Sequence, residues 1–343
     1  MSNNYIQDRN KKSNEKLRKI VLSLPDFCTD FFIGIEQSTS ILTRLNYASD
    51  INIFFYYLST EILFKDIKFI SLDDLEKLKS RDFEMFLSYI SDFTKDGISY
   101  QNNDSAKARK LSSIRALFKY LYNNDKLSHN ESAKVKTPKI HTKPIIHLEP
   151  NEVVKLLNES EKPTELTQRE TAFNRVTTIR DTALLTLFLG TGIRVSECVG
   201  LNVKDIDLEN NAFKITRKGG NQTILYFSDE VKEPLINWIN ERKYWLDENS
   251  KEEALFLSLQ RKRICVRAVE KLVKKYSSIA SPLKKITPHK LRSTYGTTLY
   301  QETNDIYVVA EVLGHKDVNT TKKHYASMSD DIKRSVVNKV KLR

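Results

Sequence analysis

Apolar positions along this chain recur mostly at intervals of three and four, the spacing of one helix face. From Asp104 to Leu121, DSAKARKLSSIRALFKYL, they fall at Leu111, Ile114, Phe118 and Leu121, with Lys107, Arg109, Lys110 and Arg115 largely off that stripe. Thr43 to Leu58 predicts a second helix, crowded with Tyr47, Phe54, Phe55, Tyr56 and Tyr57. Rings of that size are core formers before they are base-stacking platforms. Residues 1 to about 40 predict a helical extension broken near Pro25. Leu148 to Leu157 opens another helix with proline and acidic residues in its first turn. Ile179 to Leu189 predicts an apolar helix ended by Gly190-Thr191-Gly192, and further helices are expected at Ser228 to Tyr244 and Ile264 to Ser277. Two runs alternate instead, Ala212 to Thr216 and Gln222 to Phe227, joined by Arg217-Lys218-Gly219-Gly220-Asn221, a β-hairpin signal. The expected fold is mainly α with a small β-sheet, and the chain carries neither an internal repeat nor a low-complexity tract.

A break in the helical pattern marks a boundary. Ser132 to His147, SAKVKTPKIHTKPIIH, holds Lys134, Lys136, Lys139 and Lys143, two prolines and no acidic residue. Proline disfavours helix and keeps the chain extended, which predicts a helical domain over 1–132, a basic linker over 133–147 and a second domain over 148–343. Four uncompensated lysines repel one another unless an anion is near, so the linker reads as a strap over a DNA backbone; a solvated connector is the plainer alternative. The whole chain agrees in sign: 343 residues, 56 Lys and Arg against 44 Asp and Glu, net charge +12. An excess of that size favours a polyanionic partner.

Other classes are excluded. Cys28, Cys198 and Cys265 are odd in number, far apart and form no CxxC pair, so neither a disulfide framework nor a cysteine zinc site is expected. MSNNYIQDRNKKSNEK is too polar for a signal peptide, and the longest near-continuous apolar stretch, Ala183 to Ile193, is far short of a membrane span. A soluble, cytoplasmic protein is expected.

Candidate chemistry gathers in the last 150 positions. Thr287-Pro288-His289-Lys290-Leu291-Arg292 reads as a helix start with threonine as cap and proline in the first turn. His289 and Arg292 then lie three apart near the positive end of that helix, where phosphate is attracted and a guanidinium fork matches two of its oxygens. Arg194 follows a Gly-Thr-Gly turn, Lys218 sits in the hairpin turn, and His315 and Tyr325 lie in LGHKDVNTTKKHYA. Each alone has a plain structural reading: a His-Arg pair at a core helix, an arginine paired with Glu197, a turn lysine, one of 15 tyrosines. Together they could surround one phosphodiester with positive charge and supply a nucleophilic oxygen without a metal.

The ordered set, in TGIRVSE, TRKGG, TPHKLR and LGHKDVNTT, resembles the tyrosine site-specific recombinases over roughly 150 to 343. Thr43, Tyr47, Asp50 and Phe54, spaced as in that family's core-binding domain, extend the resemblance to nearly the whole chain. Within the family, the long helical N-terminus is similar to the single-recombinase Xer proteins of streptococci. The resemblance implies an N-terminal helical, SAM-like core-binding domain and a C-terminal mixed α/β catalytic domain ending in a docking helix. It implies DNA cleavage and rejoining through a 3′-phosphotyrosine and a Holliday junction, with no cofactor and no metal, by a homotetramer on paired inverted-repeat sites in double-stranded DNA.

Tyr325 would be the nucleophile and Arg194 and Arg292 the phosphate ligands. His315 would donate a further hydrogen bond, Lys218 would protonate the leaving oxygen, His289 would assist proton transfer, and Glu197 would orient Arg194. Lys107, Arg109, Lys110, Arg115 and the four linker lysines are the candidate DNA contacts. Two departures stand out. His315 to Tyr325 spans ten positions where the family usually has nine, so that His324 falls where the tyrosine is usual, and Ser293 follows Arg292 where many relatives carry histidine. Rival readings are an accessory DNA-binding protein with a decayed site, disfavoured because all six positions are filled, and a type IB topoisomerase, disfavoured by the two-domain layout and the basic, partly apolar C-terminal tail. Chromosome-dimer resolution is the expected task; recombination of a mobile element uses the same chemistry.

Overall fold

A computed structural model of the chain describes residues 4–140, 145–162, 168–217, 220–314 and 317–319, with residues 4, 6 and 168–175 described by their backbone alone. Lys143, Lys218, His315, Tyr325 and the tail from Asp331 to Arg343 lie outside the described residues. The chain divides into two units, Met1–Thr142 and Lys143–Arg343.

The first unit is built around α3 (Ile41–Tyr57) and α6 (Asp104–Asn123). Side chains at helical spacing, Ile51, Phe54, Phe55 and Leu58 from α3 and its π-helical continuation, are wholly buried with Leu111, Ile114, Leu117 and Leu121 of α6. The helix α1 (Asn4–Val21) packs on α3, and α2 (Phe27–Gly34) packs on α6. Leu17, Leu24, Cys28, Phe31 and Phe32 all join this core. Helices α1 and α2 therefore pack into the core of this unit through those side chains.

Two further helices, α4 (Leu72–Glu76) and α5 (Ser80–Tyr89), contribute Leu75, Phe83 and Phe86, with Phe83 stacked on Phe54 at a ring distance of 5.5 Å. Between α5 and α6 runs an antiparallel hairpin, β1 (Asp92–Lys95) and β2 (Ile98–Gln101), in the register Asp92 to Gln101. Its turn is Asp96-Gly97, both at positive φ, which that dipeptide favours.

In the second unit α7 (Pro150–Glu161), α8 (Gln168–Thr191) and α10 (Asp229–Trp245) pack together, with α8 at the centre. The run Ala183, Leu184, Leu185, Leu187 and Phe188 is fully buried, which explains a helix with no polar face there. Three strands, β3 (Ile206–Asp207), β4 (Ala212–Thr216) and β5 (Gln222–Tyr226), form an antiparallel sheet in that order. The hairpin is the one the alternation predicts, paired Ala212 to Tyr226 and Thr216 to Gln222. The amphipathic α11 (Val266–Ala280) buries Val269, Val273 and Tyr276, and the Tyr276 hydroxyl donates to Asp181 at 3.0 Å. Short α9 (Val195–Gly200), α12 (Pro288–Thr303) and α13 (Ile306–Leu313) complete the described fold.

Candidate active site

Four chain segments meet where α8 ends. Gly192 has φ +60, a left-handed conformation that suits glycine, and a side chain there would press on Tyr295 at 2.5 Å and Leu313 at 3.0 Å. That reversal sets Arg194 in extended backbone at the N-cap of α9. Three residues on, the Glu197 carboxylate accepts from the Arg194 backbone N–H at 3.0 Å and from Arg194 Nη1 at 3.0 Å. Glu197 is buried, with 6% of its side chain exposed, while Arg194 keeps 37%. A buried carboxylate thus aims a guanidinium that solvent can still reach, and Nη2 of the same guanidinium donates to the Gly314 carbonyl at 3.3 Å.

Arg292 arrives from the first turns of α12, where Pro288 starts the helix. Its guanidinium is buried and donates to the carbonyls of Gly192 and Leu313, so both site arginines hold neighbouring carbonyls at the end of α13. His289, one turn earlier, is exposed. The helix α13 is defined at both ends. The Asp305 carboxylate accepts from the N–H groups of Tyr307 at 2.7 Å and Val308 at 3.3 Å, and Gly314 closes the helix at φ +62. The fourth segment is the β4–β5 turn, where the Arg217 N–H donates to Asn221 O at 2.8 Å. Arg217 extends its guanidinium to the Val312 carbonyl at 3.4 Å. Burial pulls its pKa below the ordinary arginine value; Glu197 opposes that and Arg194 adds to it.

Of the six candidate catalytic residues, Arg194 and Arg292 are thus brought together, with Glu197 hydrogen-bonded to Arg194 and His289 on the helix that carries Arg292. Lys218, His315 and Tyr325 lie outside the described residues; Lys218 follows Arg217 and His315 follows Gly314 in the chain. Arg217 is the residue that motif reading passes over. Its one sequence signal is a second cation beside Lys218 in TRKGG.

Five of the candidate DNA contacts of the first unit, Lys107, Arg109, Lys110, Arg115 and Lys134, have protein partners. Asp50, 1% exposed, accepts from Arg109 and from Ser113 at 2.8 Å and faces the buried Lys110 ammonium at 3.7 Å. Arg115 donates to the carbonyls of Ser132, at 3.1 Å, and Val135, and to the Thr137 hydroxyl at 2.8 Å, pinning the start of the basic stretch onto α6. Lys107 lies 3.8 Å from Asp104, and Lys134, 65% exposed, pairs with Glu131. Lys136 and Lys139 are exposed. Among the described residues no cluster of His, Cys, Asp or Glu could hold a metal ion, and no helix is long and apolar enough to cross a membrane.

In the second unit Arg194 and Arg292 are thus held together on the carbonyls at the end of α13, two guanidiniums of the kind that match phosphate oxygens. The chain belongs to the phage integrase family, whose model matches residues 147–331, and it is accordingly a tyrosine recombinase that cleaves and rejoins DNA through a tyrosine. It is 34% identical to tyrosine recombinase XerC of Caldanaerobacter subterraneus subsp. tengcongensis, over 93% of this chain and 87% of that protein. To tyrosine recombinase XerS of Streptococcus agalactiae it is 31% identical, over 78% and 81% of the two chains. In fold it is similar to the XerH site-specific recombinase bound to palindromic difH substrate, with a TM-score of 0.63 at 22% identity over 84% of this chain and 77% of that one. A λ integrase dimer bound to a core site matches with a TM-score of 0.61 at 18% identity, over 86% and 95%.

Proposed function

We propose that this chain recombines paired inverted-repeat sites in double-stranded DNA as a homotetramer in the cytoplasm, and that its task is resolution of chromosome dimers. The observation that carries the chemistry is the convergence of Arg194 and Arg292 on the carbonyls of Gly192, Leu313 and Gly314, with Glu197 buried behind Arg194. A phosphodiester entering there exchanges neutral carbonyl acceptors for charged oxygens, a stronger partner for a guanidinium. Two arginines then offset the negative charge that grows on the non-bridging oxygens, and His315 adds a donor. The Tyr325 oxygen forms the new bond to phosphorus and the 5′-oxygen leaves, taking a proton from Lys218, while His289 assists proton transfer at the tyrosine. The ester is conserved as a 3′-phosphotyrosine, so a partner strand's 5′-hydroxyl reverses the step and reseals the DNA without a nucleotide. The dimer-resolution task rests on the near full-length likeness to Xer recombinases.

The test uses a nicked duplex of the sequence that the wild-type chain selects from a randomised pool. Wild type should form a denaturant-resistant adduct, and Tyr325→Phe should bind the same duplex and form none. An adduct that survives in the phenylalanine variant would move the nucleophile elsewhere, with Tyr307 and Tyr300 next to be changed.

A further inference from the structure

The C-terminal end of α13 is held by three guanidiniums from three other elements. Arg217 of the β4–β5 turn donates to the Val312 carbonyl at 3.4 Å, Arg292 of α12 to Leu313, and Arg194 of the α8–α9 turn to Gly314 at 3.3 Å. The last carbonyls of a helix have no partner within it, and the negative end of its dipole favours cations. Two of the three arginines are phosphate ligands in the reading above; Arg217 has no role there. Its contact with Gly314 is intimate: a Cβ built on Gly314 would overlap the guanidinium, with Nη1 the nearest atom. Its Nε is buried and without a hydrogen-bond partner, so packing across the glycine rather than a full set of hydrogen bonds holds the side chain there. Gly314 is therefore required twice, by its positive φ and by the arginine that fills the space beside it.

We propose that Arg217 is a positioning residue for strand cleavage: lying across Gly314, it fixes the turn from which His315 follows and keeps position 314 free of any side chain. The proposal rests on the recombinase reading and adds to it a residue that acts through the backbone at Val312 and Gly314. A guanidinium is needed for its fork and its flat face; lysine keeps the charge and the stem but cannot cover the glycine and reach the Val312 carbonyl together.

The experiment uses the full-length chain in excess over the nicked duplex selected by the wild type, in single turnover. Arg217→Ala should bind with unchanged affinity and salt dependence and form adduct about a hundredfold more slowly, the order of loss expected when a reacting group is displaced by about an ångström. The loss should persist on a 5′-bridging phosphorothioate, whose sulfur leaves without a proton, because the defect lies at Gly314 and not at Lys218. Combined with Gly314→Ala, Arg217→Ala should cost less than the product of the two single losses, since the collision is removed.

An adduct rate equal to wild type overturns the proposal. A salt slope flatter by about 0.9 makes Arg217 a phosphate ligand instead, and recovery on the phosphorothioate assigns it to the lysine; either result overturns it too. If the alanine variant melts early, Arg217→Lys carries the same comparison, with slowed adduct formation expected and a wild-type rate fatal. A wild-type chain that forms no adduct at all brings down the recombinase reading and this one with it.

Discussion

Asp50 sits at 1% exposure between Arg109, Lys110 and Ser113, a buried carboxylate holding α3 to α6. Removing one member of a buried ion pair leaves the other uncompensated, a loss of about 3–5 kcal/mol. Asp50→Ala should destabilise the first unit by that order through Lys110, whose ammonium is buried; Arg109 is half exposed and adds little. Both tryptophans, Trp238 and Trp245, lie in the second unit, so circular dichroism should show an earlier transition that tryptophan fluorescence does not follow. Coincident, unshifted transitions would contradict the assignment. Residues legible from sequence are those whose partners are close in the chain: Glu197 lies three positions from Arg194, and Pro288 announces the helix that carries Arg292. Arg217 is illegible because what it packs against, Gly314, is remote in sequence. Lys110 and Arg115 look like free cations in a helical pattern because periodicity shows a face, not the carboxylate or carbonyl opposite it.

At the scale of elements, helix α7 is tied to the loop ahead of α12. The Glu152 carboxylate accepts from Lys284 at 2.5 Å, from Ser281 at 2.7 Å and, with its own helix start, from the Glu149 N–H at 2.8 Å. Burial pushes the Glu152 pKa up, but these bonds outweigh it and leave the pKa below the ordinary 4.5. A carboxylate depressed by folding contributes stability above its unfolded value, and that contribution fades as pH falls through the folded one. The gap in thermal stability between wild type and Glu152→Gln should therefore be full near neutrality and close below pH 4.5; a gap independent of pH would remove the ion pair from the account. Long elements are legible wherever burial is one-sided: α6 and the β4–β5 hairpin fall within a residue or two of their expected limits. The β1–β2 hairpin escapes notice although Asp96-Gly97 marks its turn, because each strand is only four residues long and the alternating Ile98 and Tyr100 of β2 are exposed rather than part of a core face. Short α4 and α5 are hidden because each is under three turns long, too short for a helical period to stand out from its neighbours.

At the scale of the whole molecule, a net charge of +12 is a property of the partner as much as of the fold. The basic stretch after α6 divides accordingly. Its first residues are anchored, with Ser132 and Val135 buried and Arg115 holding their carbonyls, whereas Lys136 and Lys139 stay exposed. Assembly is the remaining property of this scale. The segment DIKRSVVNKVKLR, Asp331 to Arg343, spaces Ile332, Val336 and Val340 four apart among Lys333, Arg334, Lys339 and Lys341. It lies outside the described residues, so its covering partner is read from pattern alone. An apolar stripe must bury against its own domain or against a neighbour. In the proposed tetramer some element must report one protomer's state to the next, and this segment, which begins six residues beyond Tyr325, is the candidate for it. Truncation after Ser329 should leave the affinity for a single half-site nearly unchanged while cooperative occupancy of a two-half-site duplex, and recombination with it, collapse. Native gel shifts on the two duplexes make the comparison: cooperativity undiminished in the truncated chain would return the segment to its own domain, and lost affinity on the single half-site would show that it holds the catalytic domain together instead.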